Sequence, residues 1–190
     1  MPVEKAEEIV DFWRDVGPEG WYAGGAALDA EITRRFRADW DDAAAGRRRE
    51  WFSNPVGALA YMILTDQFPR QIFRDDPRAF ATDHLARSAA RVCIDRKLDL
   101  HLDEPIRQFF YLPFMHAENL FDQDRCVCLM LVRLPETGQD NIRHARAHRD
   151  VIRRFGRFPW RNAVLGRKSS DAEAAFVAEG GYAGMIRDMV

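Results

Sequence analysis

The sequence predicts an all-α protein of about seven or eight helices joined by short connections. Three observations carry this. Apolar residues recur at the helical period along most of the chain, helix-capping signals punctuate them, and no alternating run of strand length competes. Short connections imply antiparallel neighbours, hence a bundle or stacked helical pairs. No strict repeat is visible.

Each element has its own warrant. Ile9, Val10 and Trp13 mark a first helix, expected to stop near Gly17-Pro18. Leu28, Ile32, Phe36 and Trp40 recur every four residues on a second, ending near Gly46. Ser53-Asn54-Pro55 reads as a capping side chain followed by proline at the first helical position. Val56, Leu59, Ala60 and Ile63 then carry a third helix as far as Pro69. Asp83 can cap a helix running to about Leu98, and Asp103 another that contains Ile106, Phe109 and Phe110. Helices over 123–134 and 140–155 follow, the latter closing at Gly156. Ser170 and Glu173 form a capping box for a short final helix. The tail from Gly180 to Ile186 is glycine-rich yet apolar at its end, suited to docking on its own domain or on a second copy.

With 190 residues the chain suits one domain over 1–190, or at most two small helical lobes. Its 47% hydrophobic and 31% charged residues belong to a folded chain rather than a disordered one. A net charge of −2 gives no electrostatic argument for nucleic acid or an anionic membrane. The longest apolar runs, Ala58–Leu64 and Cys126–Val132, fall far short of the roughly 20 residues of a membrane helix. The opening Met-Pro-Val-Glu-Lys lacks the order of a signal peptide. Three cysteines, Cys93, Cys126 and Cys128, make neither a disulfide framework nor a zinc site. A reducing cytoplasm is the expected location.

Polar residues fall where a helical protein normally puts apolar ones. At 100° per residue, Asp66, Gln67 and Arg70 share the stripe of Val56, Leu59, Ala60 and Ile63. Asp66 and Arg70, four apart, can pair. Pro69 removes a backbone donor and should bend or end the helix there, leaving the Thr65 carbonyl in need of another donor. His116 shares a face with Ile106, Phe109, Phe110, Pro113 and Leu120; His148 shares one with Ala145, Val151, Ile152 and Phe155. The opposite face of that last helix, with Arg143, Arg146, Asp150, Arg153 and Arg154, reads as solvated and mutually paired. Buried polar groups cost several kcal/mol unless paired, so three helices that accept them suggest polar groups that meet or cap broken helix ends. In the loop beyond Gly156, Arg157, Arg161, Asn162 and Arg167 interleave with Phe158, Pro159 and Trp160; arginine forks beside an aromatic wall suit carboxylate or phosphate.

Sharper motifs fail. His148-Arg149-Asp150 lacks the other parts of a kinase site, and His144 and His148 have helical metal-ligand spacing without the glutamate of a zinc protease. A metal held by His116, His148, Asp66 and Glu118 is a weaker alternative. No cofactor motif and no nucleophile elbow is present.

Asp66-Gln67-Phe68-Pro69-Arg70, Phe110 through His116, and His148-Arg149-Asp150 with Arg154 through Pro159 resemble a widespread bacterial family of unknown function. With the Trp13 and Phe80–Asp83 regions the resemblance spans nearly the whole chain. It implies an all-α, tetratricopeptide-like helical bundle and implies no activity. The family pattern has Asn at Gln71, Ser at Ala117 and His at Trp160, so no scheme needing a histidine between Pro159 and Arg161 operates here.

Two functions follow as expectations. One is a small anionic ligand held by Gln67, Arg70, Arg157, Arg161, Asn162 and Arg167, with His116 or His148 moving protons and Asp66 orienting Arg70 or a histidine. The other is a protein-interaction module in which the polar set is structural.

Overall fold

Two kinds of punctuation shape the backbone: capped helix starts, and breaks within helices that leave a carbonyl needing a donor. A computed structural model of the chain describes residues 2–188, with side chains from 4 to 187; Met1, at the head of the opening stretch, lies outside them. Every regular element among the described residues is helical. The chain divides after Pro113 into two compact units.

The first unit contains α1 (Pro2–Ala23), α2 (Ala26–Ala44), α3 (Pro55–Met62), α4 (Phe68–Ile72) and α5 (Asp83–Asp95). Trp13, Phe36, Phe68 and Phe109 have no exposed surface and form its aromatic centre: Phe36 stacks on Phe68 at 5.0 Å, and Trp13 meets Phe68 edge-on at 5.4 Å. The first helical stretch breaks at Gly17, as the sequence predicts: its φ 69 and ψ 172 are not helical, and a second stretch follows directly to Ala23. Pro18 opens that second stretch, where its missing N–H costs little. Asn54 caps α3 by accepting from the Gly57 N–H at 2.8 Å.

Pro69 does not end the third helix. A π turn over Ile63–Gln67 widens the backbone just ahead of the proline, and α4 continues to Ile72. The Thr65 carbonyl, deprived of its donor, receives the Thr82 hydroxyl at 2.6 Å. Trp40 in turn donates to that hydroxyl at 3.1 Å. Thr82, rather than Asp83, occupies the capping position of α5, but its side chain serves Thr65 and makes no cap bond. This leaves the Asp83 carboxylate for Arg70. The helix ends at Asp95, short of Leu98, and residues around Ile106–Phe110 form a 3-10 turn rather than an α-helix.

The division between the units falls within a single turn, α6 (Leu112–Met115). The second unit then holds α7 (Leu120–Arg133), α8 (Gln139–Phe155), α9 (Asp171–Ala178) and α10 (Gly181–Asp188). Asn119 starts α7 earlier than the apolar pattern suggests, by accepting from the Asp122 N–H at 2.9 Å. Buried Gln123 donates from its side chain to the Met115 and Ala117 carbonyls at 2.7 and 2.8 Å, closing the end of α6. Gly156 ends α8 in the left-handed conformation, φ 69, and Ser170 and Glu173 form both bonds of their capping box. The tail turns at Gly180 and Gly181, φ 102 and 52, and α10 packs on α8 of its own unit. Met185 joins Val151, Ile152, Phe158 and Phe176 there.

All three cysteines are free thiols, Cys93 and Cys126 buried and Cys128 exposed. Burial pushes the Cys93 thiol up to about 11. No described helix is long and apolar enough to cross a membrane.

Replacing Thr82 with valine keeps its shape and removes the donor for Thr65 and the acceptor for Trp40. Urea unfolding is expected to show a loss of about 1–3 kcal/mol, while Thr82→Ser loses less.

Candidate functional site

The polar residues that the sequence places on apolar stripes fall into two groups, one in each unit. In the first unit Asp66 is fully buried and Gln67 nearly so. The Gln67 amide donates to the Asp66 carboxylate, and Arg70 donates to the Asp66 carbonyl. Arg70 also meets the Asp66 carboxylate at 3.6 Å and Asp83 at 3.1 Å. Burial favours loss of the Arg70 proton, but Asp83 and Asp66 together outweigh it and raise the pKa. Asp66 orients Arg70, as the four-residue spacing suggests, and Asp83 completes the clamp. This group is an ion-pair network within one unit.

In the second unit the loop arginines meet carboxylates of the chain itself. Arg157 forks onto Glu173 at 2.6 and 2.7 Å, and the Ser170 N–H adds to the same carboxylate. The fork is the largest cause that holds the Glu173 carboxyl at about 2. Arg167 forks onto Glu118 at 2.6 and 2.9 Å, and Glu118 also accepts from the Phe158 N–H at 2.8 Å. Burial pushes the Glu118 carboxyl up, but these donors and the Arg161 charge hold it below the usual range. With both oxygens so engaged, Glu118 is not presented to a metal. Among the described residues no group of three or more His, Cys, Asp or Glu side chains could hold a metal ion. Asn162 is buried and donates to the Ser169 hydroxyl at 3.1 Å.

His116, His148 and Arg161 come together with residues that the helical pattern does not single out. The His148 ring lies 6.5 Å from His116, 5.3 Å from Phe158, 5.9 Å from Trp160 and 4.4 Å from Tyr182, centroid to centroid. Phe158 and Trp160 stack at 4.8 Å, and the Arg161 guanidinium sits over Phe158 at 4.6 Å. His144 bonds to the Tyr182 hydroxyl, so three of the chain's five histidines belong to one cluster. Tyr182 reaches it because the two glycines before it turn α10 back onto α8.

The state of His148 follows from its surroundings. Its Nδ1 lies 2.9 Å from the His144 carbonyl, which can only accept, so Nδ1 carries the proton. Burial is the largest cause that drives the ring down to about 3, helped by the nearby His116 and Arg161 charges and opposed by the carbonyl bond. The ring is therefore neutral at ordinary pH, with a lone pair on Nε2: an acceptor walled by aromatic rings.

The chain belongs to the family described as bacterial protein of unknown function (DUF924), which matches residues 9–181. It is also similar to the solved structure of a protein of unknown function from Agrobacterium tumefaciens, at 40% identity and a TM-score of 0.89. That similarity covers 95% of this chain and 100% of the other. No curated protein matches the chain.

The depressed His148 pKa has a stability consequence with a defined sign. An unfolded histidine binds a proton below about 6.5, whereas the folded ring refuses it until about 3. Stability is thus full above pH 6.5 and falls as the pH drops towards 3. By pH 5 the expected loss from this ring is up to about 2 kcal/mol. Urea titrations at pH 7 and pH 5 are expected to show this extra loss in the wild-type chain and not in His148→Phe.

Proposed function

We propose that the protein binds a small anionic ligand in its second unit, at the cluster of His116, His148, Trp160 and Tyr182. The observation that carries this reading is His148, fixed as a neutral ring with its Nε2 lone pair open to a donor and aromatic rings around it. The Arg161 guanidinium over Phe158 lends the positive charge that favours an anion. His148 accepts a hydrogen bond from a hydroxyl or N–H of the ligand, and the Trp160 and Tyr182 rings cover its apolar part. The closed forks of Arg157 and Arg167 support the loop that carries Phe158 and Arg161 and do not bind the ligand. Any chemistry beyond binding is proton transfer or hydrolysis through water, with His116 as proton carrier. We infer a cytoplasmic location; three free thiols, one of them exposed, support it.

A thermal-shift panel of carboxylates and phosphate esters tests the reading. A ligand present at a hundred times its Kd is expected to raise Tm by roughly 5–10 °C. The shift is expected to vanish in His148→Phe and to survive in Arg157→Gln. A panel without a hit, or a hit unaffected by His148→Phe, overturns the assignment.

A further inference from the structure

A second surface of the same unit has no part in the histidine cluster. Leu120, Phe121, Leu131 and Val132 on α7 are 42, 72, 48 and 76% exposed, and Cys128 between them is also exposed. At 100° per residue these five positions fall within an arc of about 120°, over a length of roughly 18 Å. Asp124 lies in the same arc and pairs with Arg149 and Arg153 of α8 at 3.4 and 3.5 Å. The face therefore carries an apolar group at each end, Leu120 with Phe121 and Leu131 with Val132, and grouped exposed apolar residues of this kind mark a contact surface. At the C-terminal end of the stripe, Leu131 leads into a cleft of about 900 Å³ whose apolar lining includes Leu134, Pro135 and Ile142.

Charge selects the occupant. The neighbouring helix α8 carries five arginines against two aspartates, and Asp124 of α7 together with Asp150 pairs with two of them, Arg149 and Arg153. On the cleft wall Arg143 is neutralised by Asp140 at 2.6 Å, and Glu136 is not free. Exposed Arg146 lines the cleft with no ion pair among the described residues. The apolar stripe thus runs beside a basic flank that offers an unmatched cation to whatever sits on it. Antiparallel pairing of two copies about a two-fold axis would bring both arginine-rich helices to the same side, where they repel. An acidic partner is drawn in by the same charge.

We propose that the α7 stripe and the adjoining cleft dock an amphipathic helix of a partner protein, its apolar face on Phe121, Leu131 and Val132 and an acidic side chain on Arg146. This is helix-in-groove recognition, with anchors at i, i+3, i+4 and i+7. It stands or falls independently of the histidine cluster.

The test uses the full chain and two fluorescein-labelled synthetic helical peptides of about four turns, identical in their leucine anchors. One carries glutamate on its polar face, the other lysine. Anisotropy titrations are expected to show the glutamate peptide binding at least tenfold more tightly, roughly 1.4 kcal/mol. Val132→Asp, at a site too exposed to disturb folding, is expected to abolish binding. Arg146→Glu is expected to reverse the preference between the peptides. Equal binding of the two peptides, or no saturable binding of either, overturns the proposal. So does sedimentation showing a dimer of the chain that Val132→Asp dissolves, because the occupant would then be a second copy.

Discussion

The Thr65 carbonyl lacks the usual α-helical donor, because the residue four positions on is proline, and the first unit supplies another. Thr82 reaches it from the start of α5, and Trp40 on α2 fixes the threonine hydroxyl from the other side. One orphaned acceptor thereby ties three helices together through buried side chains. The π turn over Ile63–Gln67 lets the chain pass the proline without stopping, and it carries Asp66 and Gln67 into the interior. The second unit answers the same constraint with different residues. Gln123 closes the end of α6 with two carbonyl bonds, and Glu118 takes the Phe158 N–H.

The same accounting determines what the histidine cluster is. A half-buried imidazole that donates to a carbonyl has its tautomer chosen for it, so His148 presents an acceptor on Nε2. Loop arginines that would otherwise attract anions are matched by Glu118 and Glu173, and Arg70 is matched by Asp66 and Asp83. Breaking such a fork strands a charge, which is why these pairs hold loops in place more than they attract ligands. His116 and Arg161 lie beside His148, set among aromatic rings.

The helical class was legible because a 3.6-residue period survives any tertiary arrangement, and the Ser170 capping box and the Gly156 stop form as their local chemistry dictates. Burial of Asp66 and Gln67 was legible for the same reason, since a stripe position is a statement about one helix alone. At Pro69 the sequence leaves a bend or an end open; the structure widens the helix into a π turn and continues it to Ile72, a form that single-helix rules do not foresee. Partners were the least legible. Nothing in the spacing of Thr82, Gln123 or Tyr182 announces that each bonds 6 to 42 residues away in sequence. Nor does the sequence show which carboxylate meets which arginine, and that pairing decides how much charge remains for a ligand.

Nitrogen-15 NMR of the imidazole rings tests the central point most directly. Between about pH 4 and pH 8 the His148 ring is expected to stay neutral, with Nδ1 protonated and Nε2 bare. A cationic His148 at pH 6, or a ring protonated on Nε2, would contradict the donor assignment on which the site rests.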